Sequence, residues 1–411
     1  MNCKFLQLQR YLPLILLGLI LTSFSPKWGF FGHRRINRLA VFTLPPEMIV
    51  FYKKNIEYLT EHAVDPDKRR YASKFEAPRH FIDIDRWDVY PFDKVPRDRA
   101  DALMQYTDIL VVDAKSDTIH YFGNQADEVD SLFVRSQSGA IVERKSYRNF
   151  FFSNVLSKYY EDEHSISCDS LSKLLGYEVS CQSAFAVDHF SEHGIIPYHL
   201  LKMQRDLTEA FRIKSTAAIL RLSAEMGHYI ADAHVPLHTT MNYNGQLTNQ
   251  NGIHAFWESR LPELYADTEY DFFVGKPQYI EHPKEYFWSI VLESHRLLDS
   301  VLLIEKDLSK TFPSDKQYCY EERLGQTIRT QCEGYARAYN ERMKGMVEKR
   351  MRDAILAVGS SWYTAWIDGG QPDLTKLLFP NLNPTDLLED AELEKAVQSG
   401  KQQGREHNNG G

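Results

Sequence analysis

Apolar positions recur at three- and four-residue spacing through most of this chain, and the elements they predict are helices. Arg34 to Val41 reads as a first helix. Thr43, Pro45 and Pro46 open a second, Glu47 to about Glu61, with Met48, Ile49, Phe51, Tyr52 and Ile56 as its apolar positions. Residues 200–234 carry a strong helical period, with a break predicted near Lys214. A long amphipathic run from about Tyr335 to Ile367 stops at Gly369-Gly370, with Pro372 just beyond. Strand signals are few: Ile109 to Val112, and pieces of Ser131 to Val142. The pattern predicts a mainly α, multi-helix single domain over residues 28–380, with an irregular insertion at about 88–198 where Asp/Arg-rich, aromatic and Ser-rich pieces alternate. No internal repeat is visible.

The N-terminus departs from this pattern. Lys4 and Arg10 precede an apolar run, Leu12 to Leu21, too short to span a bilayer comfortably and of the length of an export signal. Residues 1–27 are therefore expected to be a signal peptide, with a short pro-segment included if cleavage is two-step, and the protein to be secreted or periplasmic; an uncleaved anchor is the competing reading. The whole chain of 411 residues has a formal net charge of −8, and residues 1–27 hold basic side chains (Lys4, Arg10, Lys27) and no acidic ones, so the remainder is more acidic still. That does not favour a basic groove for a polyanion, but it is compatible with a site whose positive charge comes from bound cations. Beyond Cys3, the cysteines are Cys168, Cys181, Cys319 and Cys332. In an exported chain two local disulfides are plausible, although the sequence alone allows three connectivities. The Gln/Gly/Asn-rich end places residues 381–411 in a disordered tail.

The chemistry is concentrated in residues 228–258. His228-x3-Asp232 and His254-x3-Glu258 each put two donors on one helical face, and Pro236 ends the first helix before His238. Imidazole and carboxylate without a nearby thiolate suit zinc that performs chemistry. Upstream stand Trp28-Gly-Phe-Phe-Gly-His33, Asp65 within His-Ala-Val-Asp-Pro-Asp-Lys-Arg-Arg-Tyr, and His80 within Pro-Arg-His-Phe-Ile-Asp. His234 reads as packing or support for the ligands, His62 and His120 as surface residues, and Trp87, Phe256 and Trp257 as core.

In the order and spacing of these residues, over about 28–85 and 200–262, the chain resembles the superfamily of zinc-dependent phospholipases C and secreted single-strand-specific nucleases. The resemblance implies a mostly helical fold and a site of three zinc ions. Carried over, Asp65, His80, His228 and Asp232 hold one ion; Asp232 bridges to a second, completed by His33 and by the α-amino nitrogen and carbonyl of Trp28; His238, His254 and Glu258 hold the third. The site has three ions if Trp28 is the mature N-terminus and otherwise two, and Lys27 is a poor residue to precede a signal-peptidase cut. Asp67 is the rival to Asp65, which is preferred for its distance from His80. Asp65 and Lys68 are the implied catalytic residues, with Lys68 approaching the scissile phosphate and Phe81 and Asp83 holding a base.

Such a site needs no covalent nucleophile, because closely spaced zinc ions lower the pKa of water and neutralise phosphate charge. The expected activity is zinc-dependent phosphodiester hydrolysis, leaning to single-stranded nucleic acid as substrate. Trp28-x4-His33, Lys68, Phe81 and Asp83 resemble the nucleases. Glu258 in place of an aspartate, and the short gap from His238 to His254, resemble the phospholipases and keep phospholipid head-group cleavage as the alternative. A secreted metal-binding protein without turnover is the third reading.

Overall fold

Helix positions follow the apolar period closely, and the breaks within them have local causes. The computed structural model describes residues 30–122, 133–136, 139–156, 165–323, 326–377, 392–397 and 403; the expected signal peptide, Trp28 and most of the tail lie outside them. Helix α1 (Phe30–Ala40) begins before Arg34 and buries Ile36, Asn37 and Ala40. The run expected as one helix to Glu61 is two, α2 (Pro46–Lys54) and α3 (Ile56–Glu61). At the junction the Asn55 side-chain amide donates to the Phe51 carbonyl at 2.8 Å, a local bond that competes with helix continuation. A short helix α4 (Asp65–Arg69) follows.

The predicted break near Lys214 separates α5 (Ile196–Arg212) from α6 (Thr216–Ala233), with Lys214 itself at φ 58°. Helix α7 (Pro283–Thr311) was not anticipated, although Phe287, Trp288, Ile290, Val291, Leu298, Val301 and Leu308 give it a regular buried stripe. The long C-terminal run is also divided, into α8 (Glu333–Arg342) and α9 (Met346–Asp368), where Lys344 and Gly345 both take positive φ.

Helix α6 is the axis of the fold, packed against α1, α5, α7 and α9. It is buried without interruption from Met226 to Ala233, which is why its sequence there is nearly all apolar apart from the chemistry-bearing residues. Buried polar side chains tie the helices of this bundle together. The Asn37 amide of α1 donates to the Leu59 carbonyl (3.1 Å) and to the Ala224 carbonyl (2.9 Å), tying three helices. Buried Arg350 of α9 donates to the His234 carbonyl (2.9 Å) and the Ser294 hydroxyl (2.6 Å) and lies beside Glu293 (3.1 Å), holding the end of α6 to α7.

The stretch expected to be irregular contains an antiparallel sheet. Strands β1 (Thr107–Val112), β2 (Thr118–Phe122), β5 (Ser165–Ile166) and β6 (Ser183–Asp188) are ordered β2-β1-β6-β5, with Leu110 opposite both His120 and Phe185. The predicted Ile109–Val112 strand lies in β1, and parts of Ser131–Val142 form the β3 (Phe133–Arg135) and β4 (Ile141–Glu143) pair. Trp87, Tyr106 and Phe190 stack where the sheet joins the helical body. A further hairpin, β7 (Tyr318–Arg323) with β8 (Gln326–Gln331), was not expected. The cysteines pair locally, Cys168 with Cys181 and Cys319 with Cys332.

Part of the tail differs from the expected disorder. Residues 392–397 are helical, with Leu393 and Val397, four positions apart, half-buried on one side. Glu394 lies 3.2 Å from the Lys68 ammonium, and the Gln403 amide donates to the Arg70 carbonyl at 2.7 Å. Among the described residues no helix is long and apolar enough to cross a membrane.

Candidate metal centre

Four elements converge on the buried half of α6. His228 and Asp232, one turn apart, point the same way. His33 comes from α1, His80 from the short turn Ala77–His80, and His238 from the turn Pro236–Thr239 that Pro236 opens. His254 and Glu258 come from Ile253–Ala255 and the π-helical turn Phe256–Arg260 that continues it. Such turns are frequent at functional sites. Arg260 anchors this one by pairing with Glu321 of β7 and donating to the Gln331 carbonyl.

Asp232 sits at the centre. Its Oδ2 is 2.9 Å from His80 Nδ1 and 3.2 Å from His228 Nε2; its Oδ1 is 3.5 Å from His33 Nε2 and 4.0 Å from His238 Nε2. Glu258 is the second hub, with Oε2 2.7 Å from His254 Nε2 and 3.3 Å from His238 Nε2, and Oε1 3.5 Å from His33 Nε2. Among the described residues, three groups have ligand atoms close enough to share a cation: His33, His228 and Asp232; Asp67, His80 and His228; His238, His254 and Glu258.

The donor set, imidazole with carboxylate, can hold a metal ion. His80 Nδ1 and His228 Nε2 face each other at 3.0 Å, an arrangement of two nitrogens that a shared cation satisfies. The outer nitrogens are committed elsewhere: His228 Nδ1 donates to the Ala63 carbonyl (2.8 Å) and His238 Nδ1 to the His80 carbonyl (2.6 Å), which leaves each Nε2 lone pair directed inward. The His33 and His228 rings stack with centroids 3.9 Å apart.

Electrostatics agree with a cation-seeking cluster. Burial alone would raise the Glu258 carboxyl, but the charge of His238 and hydrogen bonds from His238, His254 and His33 hold it well below the usual range. Asp232 is held low in the same way, against burial, chiefly by His228 and His238. Burial pulls His33 down, yet its hydrogen bond to Glu258 and the charges of Asp232, Asp67 and Glu258 push it up to about 9. Burial and the charge of His33 leave His228 below its ordinary value. Asp232 and Glu258 thus favour a proton on His33 when no cation is bound, and a metal ion bound there would displace it.

The structure brings together His33, His80, His228, Asp232, His238, His254 and Glu258. It does not bring Asp65 with them. Asp65 faces His62 Nδ1 at 2.5 Å and the Lys68 ammonium at 3.0 Å, whereas Asp67, two residues on, lies 3.8 Å from His80 and 3.9 Å from His228. Spacing to His80 preferred Asp65, but side chains two apart on a helical turn diverge, and His62 and Lys68 claim Asp65 locally. Asp67→Asn is accordingly expected to weaken zinc binding at the His80–His228 group by about tenfold or more, and Asp65→Asn to weaken it far less, as read by competition with a chromogenic chelator.

Phe81 and Asp83 do not form an open base platform. Phe81 is 3% exposed and Asp83 5%. The segment where the insertion returns to α5 covers them: Asp83 N–H donates to the His193 carbonyl, Ile196 N–H to the Phe81 carbonyl, and a Cβ at Gly194 would stand 2.2 Å from the Phe81 carbonyl oxygen. His234 packs in the core and donates to the Ile230 carbonyl; Phe256 and Trp257 are buried; His120 is exposed. His62 is not a plain surface residue, since it stacks on Tyr58 as well as facing Asp65. Glu76, described below, carried a signal that went unread: it stands four residues before His80.

No family model matches the chain, and no curated protein matches it either. The reading of the site rests on its geometry and donor chemistry.

Proposed function

We propose that this chain is an exported zinc-dependent hydrolase of phosphoric diesters, in keeping with its likeness to the phospholipase C and single-strand nuclease superfamily. The observation that carries the reading is Asp232, a buried carboxylate facing His33, His80, His228 and His238. Zinc held there would supply an activated water and offset the charge that builds on phosphate oxygens. The chain's own part is to fix the ligands, with Asp232 between the groups and the backbone carbonyls of Ala63 and His80 setting the imidazole tautomers. Lys68 pairs with Asp65 (3.0 Å) and Glu394 (3.2 Å), and its approach to the phosphate is what the likeness implies.

Among substrates, phospholipid head groups fit better than the nucleic acid expected from sequence. Burial of Phe81 and Asp83 removes the ring and carboxylate on which a base would rest, while Glu258 and the compact His238–His254 spacing were already phospholipase-like features. The test is an assay of zinc-loaded mature protein on phosphatidylcholine vesicles, single-stranded DNA and bis(p-nitrophenyl) phosphate, with and without a chelator. Chelator-sensitive turnover of the aryl diester and of phosphatidylcholine, exceeding that of DNA, is the expected result. DNA as the preferred substrate would restore the nuclease reading; zinc uptake with no turnover on any of the three would leave a metal-binding protein.

A further inference from the structure

We propose that Glu76 is a positioning residue for the metal ligand His80, fixing which ring nitrogen faces the metal centre and strengthening it as a donor. The proposal rests on the metal-centre reading above and deepens it. Glu76 directly precedes the turn Ala77–His80, so its carboxylate lies one helical turn behind the His80 ring. It is 1% exposed, and a carboxylate so deeply buried requires partners. Those on one side are plain: Oε2 accepts from Arg79 (2.8 Å) and Arg69 (3.2 Å), and Oε1 accepts from the Tyr229 hydroxyl.

The oxygen that accepts from Tyr229 also faces the metal centre. Glu76 Oε1 lies 3.6 Å from His80 Nε2, while His80 Nδ1 points the opposite way, at Asp232, His228 and Asp67. A proton on Nε2, drawn toward Glu76, leaves the Nδ1 lone pair for a cation. A ligating imidazole whose outer N–H meets a carboxylate is more basic than one that meets a carbonyl. His228 and His238 are oriented by hydrogen bonds to backbone carbonyls; His80 Nε2 faces a carboxylate at ion-pair distance, 3.6 Å, which a bound cation would draw into a hydrogen bond. Arg69 and Arg79 balance the Glu76 charge from the far side, where they line a cavity of about 650 Å³ with His199 and Lys202, and Arg69 is itself held by Glu225 at 2.7 Å. Glu76 thus connects an arginine-lined cavity to the back of a metal ligand.

A merely structural Glu76 would serve only to pin these arginines, and the test separates the two roles. Zinc competition titrations and the visible spectrum of the cobalt(II)-substituted protein are measured for wild type, Glu76→Gln, Glu76→Ala and Arg79→Ala. Glu76→Gln keeps the size and removes the charge, so it remains informative if Glu76→Ala folds poorly. Positioning predicts zinc binding at the His80–His228 group weakened about tenfold in Glu76→Gln and up to about 100-fold in Glu76→Ala, with a shifted cobalt spectrum. The His238–His254–Glu258 group is expected to titrate as in wild type, and Arg79→Ala, which leaves the carboxylate facing His80, to change zinc binding less than Glu76→Gln. Wild-type-like titrations and spectra in both Glu76 variants, or an Arg79→Ala effect equal to theirs, overturn the positioning role alone. Failure of the wild type to take up zinc overturns the metal-centre reading and this inference with it.

Discussion

Asp232→Asn is expected to abolish most metal uptake at the buried cluster and, on the proposed function, to reduce phosphodiester turnover to background. The substitution is nearly isosteric, so the loss comes from chemistry rather than volume. One carboxylate oxygen serves His80 and His228 and the other faces His33 and His238. An amide offers one weak acceptor and turns a pair of N–H donors toward nitrogens whose lone pairs point inward. Losing an outer partner of a ligand typically costs 10- to 100-fold in metal affinity; Asp232 is itself a member of the His33–His228 group and faces His80 and His238 of the other two, so a loss of more than about 100-fold is expected. Elemental analysis and an aryl phosphodiester assay on the same sample check it, with far-UV circular dichroism showing the helices retained. A variant that kept both zinc and turnover would remove Asp232 from the centre of the site.

Gly227→Ala is expected to damage stability and site together. A Cβ there would stand 1.8 Å from Asn37 Oδ1 and 2.7 Å from its Cγ. Asn37 has no slack, because its amide holds the Leu59 and Ala224 carbonyls. Either α1 moves off α6, an overpacking cost of about 1–3 kcal/mol, or Asn37 swings away and leaves buried carbonyls unpaired at about 1–3 kcal/mol. The expected loss is about 2 kcal/mol in denaturant unfolding. Because His33 is on α1 and His228 follows Gly227, the His33–His228 stack (3.9 Å) opens as well, and zinc affinity should fall in the variant even where it stays folded. Unfolding free energy unchanged within about 0.5 kcal/mol would mean that the helices adjust freely around this contact.

Much of this was legible in the chain because the signals were periodic. The mainly α fold, the break at Lys214 and the facing pairs His228/Asp232 and His254/Glu258 follow from the helical repeat. What was missed depends on contacts distant in sequence. Asp65 and Asp67 cannot be told apart by spacing to His80; the choice is made by His62 and Lys68, which hold Asp65. Phe81 and Asp83 are expected from the resemblance to hold a base, and nothing local says that residues 193–196 will lie on them. The strands of the insertion are short and joined by pairings such as Asp108 with Val187, which no local pattern reveals. Helix α7 was overlooked although its apolar stripe is regular, because charged residues interrupt it in one dimension and are sorted to the outer face only on the helix.

Counting zinc tests the account most directly. Mature protein, saturated with zinc and freed of unbound metal, is analysed by inductively coupled plasma mass spectrometry beside Asp232→Asn. At least two zinc ions per chain are expected, three if the mature chain begins at Trp28, with a clear loss in the variant. Less than one zinc per chain in the folded wild type, or equal zinc in both proteins, would contradict the metal-centre reading.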